Sequence, residues 1–305
     1  MPPDLSSRYL VLDGGLATEL SARGFDLSDA LWSARVLVDD PDAIEAVHFD
    51  YFEAGADIAI SASYQASYDG FAERGFSPEE STRLLQRSVE LARRARDRYH
   101  AQHPGVLRPL LVAASVGPYG ATRHDGSEYH GNYGLEEEAL AAFHRPRLAA
   151  LVAAEPDLLA CETIPSLVEA RAIARELRAH PHMHAWLSFT CRDGAHTSAG
   201  DAIADCARFL DGEPQVVAMG INCVAPELVG ALVHQIAAVS QKSIVVYPNS
   251  GEVWNAATRG WEGTSLRFTD HLGEWLDAGA RWVGGCCRTT PADIRVVRAI
   301  VDAHA

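Results

Sequence analysis

Eight short apolar runs, rich in β-branched residues, alternate along the chain with longer amphipathic segments. The runs are Tyr9–Asp13, Asp57–Ser61, Leu110–Val116, Leu158–Glu162, Ala185–Thr190, Val216–Asn222, Ser243–Tyr247 and Trp282–Gly285. Helical patterns separate them at Ala43–Glu53, Pro78–His100, Glu136–Ala154, Leu167–His180, Ala202–Leu210, Pro226–Val239 and Arg267–Ala278, and an eighth, Pro291–Ala305, follows the last run. Strands joined through helices pair in parallel, and eight such units close a (β/α)8 barrel. An open doubly wound sheet would more often carry a glycine-rich phosphate loop after its first strand, and Asp13-Gly14-Gly15-Leu16-Ala17 is not G-x-G-x-x-G. The expected fold is therefore α/β, a single TIM barrel occupying residues 1–305 as one domain.

Two helix starts carry their own signal. Ser77-Pro78-Glu79-Glu80 places a cap, a first-turn proline and a carboxylate three residues past the cap. Thr290-Pro291-Ala292-Asp293 repeats that logic with Asp in place of Glu. The segments Gly117–Gly134 and Tyr247–Gly263 are the least regular, and both follow strands, as loops over a barrel mouth would.

The chain carries 26 Lys+Arg against 41 Asp+Glu, a net charge of −15, which argues against nucleic acid and anionic membranes as partners. Met1–Leu20 has no basic stretch followed by a long apolar run, and no segment reaches the roughly 18 apolar residues of a membrane span. A cytoplasmic location follows as the expectation, where thiols stay reduced. The six cysteines then read as metal ligands, reactive thiols or core residues rather than as a disulfide framework.

In a barrel of this kind the chemistry sits at the carboxyl ends of the strands. Those ends carry Asp13-Gly14-Gly15, Tyr64-Gln65 shortly beyond the second strand, Cys161-Glu162-Thr163, Asn222-Cys223 and Cys286-Cys287. Thiolates suit zinc, and a catalytic zinc takes three protein ligands and keeps a fourth position open. Cys223, Cys286 and Cys287 are the candidate set. Neighbouring residues on a strand face opposite ways, so Gly284-Gly285 is expected to let the chain leave β geometry and turn both sulfurs inward. The competing reading is packing, since cysteine often simply fills a core. Packing is the preferred reading for Cys161, Cys191 and Cys206. Asp13 and Glu162 read either as scaffold carboxylates or, beside three thiols, as a pocket for an ammonium group. His180, His182 and His184 form H-x-H-x-H, but they precede the fifth strand at the wrong end of the barrel and read as a surface turn.

Taken together, Asp13-Gly14-Gly15-Leu16-Ala17-Thr18-Glu19-Leu20, Ser63-Tyr64-Gln65-Ala66-Ser67, Val116-Gly117-Pro118-Tyr119-Gly120, Glu162-Thr163-Ile164-Pro165, Gly220-Ile221-Asn222-Cys223 and Gly284-Gly285-Cys286-Cys287-Arg288 resemble the homocysteine S-methyltransferase family over nearly the whole chain. The resemblance implies a Zn2+ cofactor held by Cys223, Cys286 and Cys287. It implies homocysteine bound through Asp13, Gly14, Glu162 and Gln65, and transfer of a methyl group to its thiol to give methionine. Tyr247–Trp254 is most similar to members that use a sulfonium donor, S-methylmethionine or S-adenosylmethionine. The betaine-using branch carries a tyrosine at the position of Gln65, and betaine dependence is the alternative. A metal-dependent hydrolase would need histidine and carboxylate ligands at the strand ends. A redox sensor would pair Cys286 with Cys287. Oligomeric state is left open.

Overall fold

In the computed structural model, which describes residue 5 and residues 8–27, 32–255, 260–262 and 266–304, the eight expected strands all form. They are β1 (Leu10–Val11), β2 (Ile58–Ile60), β3 (Leu111–Val116), β4 (Leu158–Ile164), β5 (Ala185–Phe189), β6 (Val216–Asn222), β7 (Ser243–Tyr247) and β8 (Ala280–Val283). Each pairs in parallel with its sequence neighbour from β2 to β8, and β8 returns to β1. A parallel bridge from Leu12 to Ile58 closes the ring, so the sheet is a barrel.

Alternation along the strands sorts the core into two layers. Leu10, Leu12, Ile58, Ala113, Leu158, Ala160, Trp186, Ala218, Val245, Tyr247 and Trp282 fill the barrel interior. Their neighbours Val11, Ala59, Val112, Ala114, Leu159, Cys161, Leu187, Met219, Val246 and Val283 pack outward against the helices. Two tryptophans meet edge to face inside, Trp186 and Trp282, with ring centres 5.9 Å apart. Gly220 on β6 lies hard against β7, where an added Cβ would lie 1.8 Å from the carbonyl oxygen of Val245.

The main helices match the expected segments, with shifted ends. Ser77 caps helix Pro78–Gln102 through a full capping box, as its spacing predicts. Asp293 accepts from both the backbone N–H and the hydroxyl of Thr290, the reciprocal half of that device. The segment expected as helix Arg267–Ala278 divides into a 3-10 turn, Phe268–His271, and a short helix, Leu272–Asp277. Three further helices, Leu16–Ala22, Trp32–Asp39 and Tyr68–Ala72, occupy segments to which the sequence pattern assigns no element. Each is short, and tertiary packing rather than a long periodic pattern holds it. Residues 1–4, 6 and 7, parts of the loop Tyr247–Gly263 and Ala305 lie outside the described residues. Among the described residues no helix is long and apolar enough to cross a membrane.

Candidate active site

One step beyond the apolar interior layer, the inward positions turn polar. Ser115, Glu162, Ser188, Asn222 and Tyr247 form a hydrogen-bonded plate across the carboxyl end of the barrel. The Trp186 indole N–H donates to the Tyr247 hydroxyl at 2.9 Å, and Ser188 Oγ lies 2.7 Å from the same hydroxyl. Ser188 also donates to Asn222 Oδ1 at 2.8 Å. Asn222 accepts from the Thr163 backbone N–H at 2.7 Å and donates through Nδ2 to Thr163 Oγ1 at 2.8 Å. Ser115 donates to the Glu162 carboxylate, and the Tyr247 hydroxyl stands within hydrogen-bonding reach of it.

Cys223 follows the inward-facing Asn222, and on a regular strand it would face the helices. Its φ of 52° takes it out of strand geometry, and its Sγ lies 3.7 Å from Cys287 Sγ. Cys286 Sγ lies 4.0 Å from Cys287 Sγ. The three sulfurs all fall within 4.8 Å of one another, the one such group of metal-ligating side chains among the described residues. Two thiolates on a tetrahedral zinc, with bonds near 2.3 Å, stand about 3.8 Å apart. The cluster has the dimensions of such a centre.

The vicinal pair converges by a different device from the one expected. Gly284 and Gly285 do not adopt positive φ. They are small because there is no room: a Cβ on Gly284 would meet Leu12 Cβ at 2.6 Å, and one on Gly285 would meet Thr289 Oγ1 at 2.2 Å. Reversal comes one step later, where the Thr289 N–H donates to the Cys286 carbonyl at 3.3 Å and Arg288 has φ 63°. Positive φ at the third residue is what a type II turn requires. Thr163, at φ 59°, is the third non-glycine in this region with left-handed backbone. Such conformations persist only where the surroundings impose them, and they gather at functional sites.

The sulfurs are electrically unequal. Thiol donation from Cys286 and Cys287 holds Cys223 well below the ordinary thiol range, while Cys286 and Cys287 are pushed up as donors to it. Cys161, Cys191 and Cys206 are packed in the outer core, as their placement predicts. Their thiols are raised by burial. The histidine turn His180–His184 lies before β5, on the far side of the barrel from the sulfurs.

Glu162 is buried, and desolvation lifts its carboxyl to about 7 against the two hydrogen bonds and with the help of Cys223. Asp13 is also buried and raised, chiefly by desolvation, and Glu162 adds to the effect. One Asp13 oxygen accepts from the Ile60 N–H at 2.8 Å, which ties β1 to β2 across the seam. Asp13 thus has a scaffold role in addition to its place beside Glu162. Gly14 is packed so closely that a Cβ would lie 2.7 Å from Thr289 Oγ1. The adjacent Gly15 N–H is engaged by the carbonyl and hydroxyl oxygens of Thr289. Gln65 stands on the turn after β2, and its buried Oε1 has no hydrogen-bond partner among the described residues. Arg147, fully buried, braces that turn and the next by donating to the carbonyl oxygens of Tyr64 and Gly117 at 3.2 and 2.9 Å.

Sequence reasoning missed two residues of the loop after β3. The Tyr129 hydroxyl lies 3.5 Å from Cys223 Sγ, and Glu128 beside it is buried. Their only sequence signal is membership of the irregular stretch Gly117–Gly134.

Fold and site together define a class: a (β/α)8 barrel with a three-thiol centre and two buried carboxyls at the carboxyl ends of its strands. Residues 10–301 match the family pattern described as homocysteine S-methyltransferase. The homocysteine S-methyltransferase of Escherichia coli (strain K12) is 52% identical over 293 residues, 95% of this chain and 94% of that protein. A Bacillus subtilis (strain 168) protein of the same description, YbgG, is 48% identical over 294 residues, 95% of this chain and 93% of that protein. The crystal structure of the Escherichia coli homocysteine methyltransferase MmuM in its metallated form superposes with a TM-score of 0.89 at 50% identity, covering 96% of both chains. The chain belongs to the homocysteine S-methyltransferase family.

Proposed function

We propose that this protein transfers a methyl group from a sulfonium donor, S-methylmethionine or S-adenosylmethionine, to the thiol of homocysteine. The observation that carries the reading is the convergence of Cys223, Cys286 and Cys287 at 3.7 and 4.0 Å beside buried Glu162. The three cysteines would hold Zn2+, which when bound supplies a Lewis acid that lowers the pKa of an entering thiol into the neutral range. One low-pKa sulfur, Cys223, accepting from the thiols of Cys286 and Cys287 in the metal-free protein supports this assignment.

The chain's own residues would bind and align. Glu162 and Asp13 are two carboxyls kept partly neutral by burial, and a substrate ammonium between them would restore their charge. The Gly14 backbone would face the substrate carboxylate, since the Gly15 N–H is already taken. The unpartnered Gln65 Oε1 would accept from a bound substrate group. Glu162 is fixed by Ser115 and Tyr247, and the strained Thr163 and Cys223 are fixed by Asn222 and the chain reversal, so the acceptor is held in one orientation. In the transfer a new sulfur–carbon bond forms as the donor's S–CH3 bond breaks. The electron pair stays on the departing sulfur, which leaves as a neutral thioether and needs no general acid.

The test is a methyl-transfer assay on zinc-loaded protein, offering S-methylmethionine, S-adenosylmethionine and betaine in turn. The expected result is turnover with a sulfonium donor and stoichiometric zinc, both lost in Cys286→Ser while the far-UV circular dichroism is unchanged. Full activity in Cys286→Ser, or in metal-stripped protein, refutes the reading. Six free cysteines, none in a disulfide, are consistent with a reducing cytoplasm as the working compartment.

A further inference from the structure

Glu128 is a carboxylate that the fold has no structural use for. It stands on the loop between β3 and the helix Glu137–Val152, in the 3-10 turn Ser127–Tyr129. That turn is held rigidly. Asp125 accepts from the Ser127 N–H at 3.0 Å, and Gly120 packs against Glu128 so tightly that a Cβ there would lie 2.5 Å from the Glu128 nitrogen. Glu128 is only 9% exposed, its Oε2 is fully buried, and that oxygen has no hydrogen-bond partner among the described residues. None of the described arginines, lysines or histidines forms an ion pair with it.

A buried, unpaired carboxylate is unfavourable unless a ligand completes it. Burial lifts this carboxyl to about 7, and the negative charges of Cys223 and Asp125 add to the lift. Its neighbour Tyr129 reaches Cys223 directly, and the charge of Cys223 acts on the Glu128 carboxyl itself, which puts the carboxylate near the sulfur cluster. Glu162 and Asp13 already form a separate acidic pair on the plate beneath, suited to the ammonium of the acceptor.

We propose that Glu128 is the counter-ion for the α-ammonium group of the methyl donor and thereby selects donors built on an amino acid. This deepens the proposed function and rests on it. The donor carries two cationic centres, and the choice between them follows from the chemistry. The sulfonium loses its charge during transfer, so a carboxylate placed against it would favour the ground state and slow the reaction. The ammonium keeps its charge throughout, and pairing it improves binding without that penalty. Betaine has no sulfonium, and its one α-ammonium is quaternary: it has no N–H to donate and is itself the centre that loses its charge in the transfer, so this carboxylate gives it no anchor of that kind.

The experiment uses zinc-loaded full-length protein and two donors, S-methylmethionine and dimethylsulfoniopropionate, which shares the sulfonium but lacks the ammonium. Glu128→Gln should raise KM for S-methylmethionine about 10- to 100-fold, the loss expected for one charged hydrogen bond. The KM for homocysteine, the zinc content and the turnover with dimethylsulfoniopropionate should stay at wild-type values. Equal losses for both donors, or none for S-methylmethionine, would overturn the assignment. Calorimetric titration of S-methylmethionine into wild type and Glu128→Gln provides a reading that does not need turnover. Binding lost only in the variant supports the assignment even if methyl transfer itself were not observed, and equal binding to both proteins refutes it. A wild type that turns over no sulfonium donor, by contrast, refutes the proposed function.

Discussion

Asn222 sits at the junction of the polar plate and the sulfur cluster, and Asn222→Ala tests whether the plate holds the site. The residue is fully buried and makes three hydrogen bonds of 2.7 to 2.8 Å, two to Thr163 and one from Ser188. Two of the partners have somewhere else to turn. The Ser188 hydroxyl already lies 2.7 Å from Tyr247, and Thr163 Oγ1 also meets the Tyr64 hydroxyl. The Thr163 N–H has no such alternative and would be left buried and unsatisfied. One orphaned donor costs ~1–3 kcal/mol, and the exchange of the other two bonds adds roughly 1 kcal/mol more. We therefore expect a loss of about 2–4 kcal/mol in urea denaturation followed by circular dichroism. Backbone strain makes the damage specific. Thr163 is β-branched at φ 59°, and Cys223, next to the deleted amide, is at φ 52°. Both should relax once Asn222 no longer clamps them, carrying Glu162 and the sulfur proposed as a metal ligand with them. Hydrogen exchange should show lost protection at Thr163, with zinc retention and homocysteine KM impaired at temperatures where the variant is still folded. A stability change below ~1 kcal/mol with protection at Thr163 intact would show that the plate is incidental.

Glu162→Gln should separate stability from function. The folded-state carboxyl is raised from 4.5 to about 7, so its unfavourable burial is absent at low pH and grows as pH rises from 4.5 through 7. In metal-stripped protein the wild type should lose stability over that window, and the variant should lose less. At pH 8 it should be the more stable of the two by ~1–3 kcal/mol while its KM for homocysteine rises; unchanged pH dependence would refute the burial argument. Gly220→Ala places a Cβ 1.8 Å from a backbone carbonyl of the adjoining strand, where neither partner has freedom to move. The expected outcome is failure to accumulate as soluble folded protein, and a variant melting within a few degrees of wild type would contradict it.

The barrel was legible because a parallel strand buried on both faces reads as an unbroken apolar run, and eight of them survive any error in their ends. Parity along those runs then carried real site information. Cys161 flanks the inward Glu162 and packs outward, while the polar residues that follow the apolar interior layer form the plate. Parity fails where the chain leaves the strand. On alternation alone Cys223 belongs on the helix side, and Cys286 and Cys287 cannot both face one ion. What overrides it is positive φ at Thr163, Cys223 and Arg288. Nothing in the residue types announces this, because the conformation is imposed by Asn222 and by the turn closing on Thr289, contacts made 59 residues apart in the first case.

The two site residues that were not legible, Glu128 and Tyr129, share one cause. They lie on a loop with no period, so neither strand parity nor helix spacing assigns them a direction. Only the folded path, which brings Gly120 against Glu128 and Tyr129 against Cys223, reveals that the loop returns to the sulfurs. Its consequence reaches the reaction itself. In the proposed function the strand ends supply a sulfur centre and an acceptor pocket, and the residues of both can be read from the sequence. In the proposal made for Glu128 the choice of donor falls to a loop, where a buried carboxylate with one oxygen unpartnered among the described residues selects the cation that completes the site.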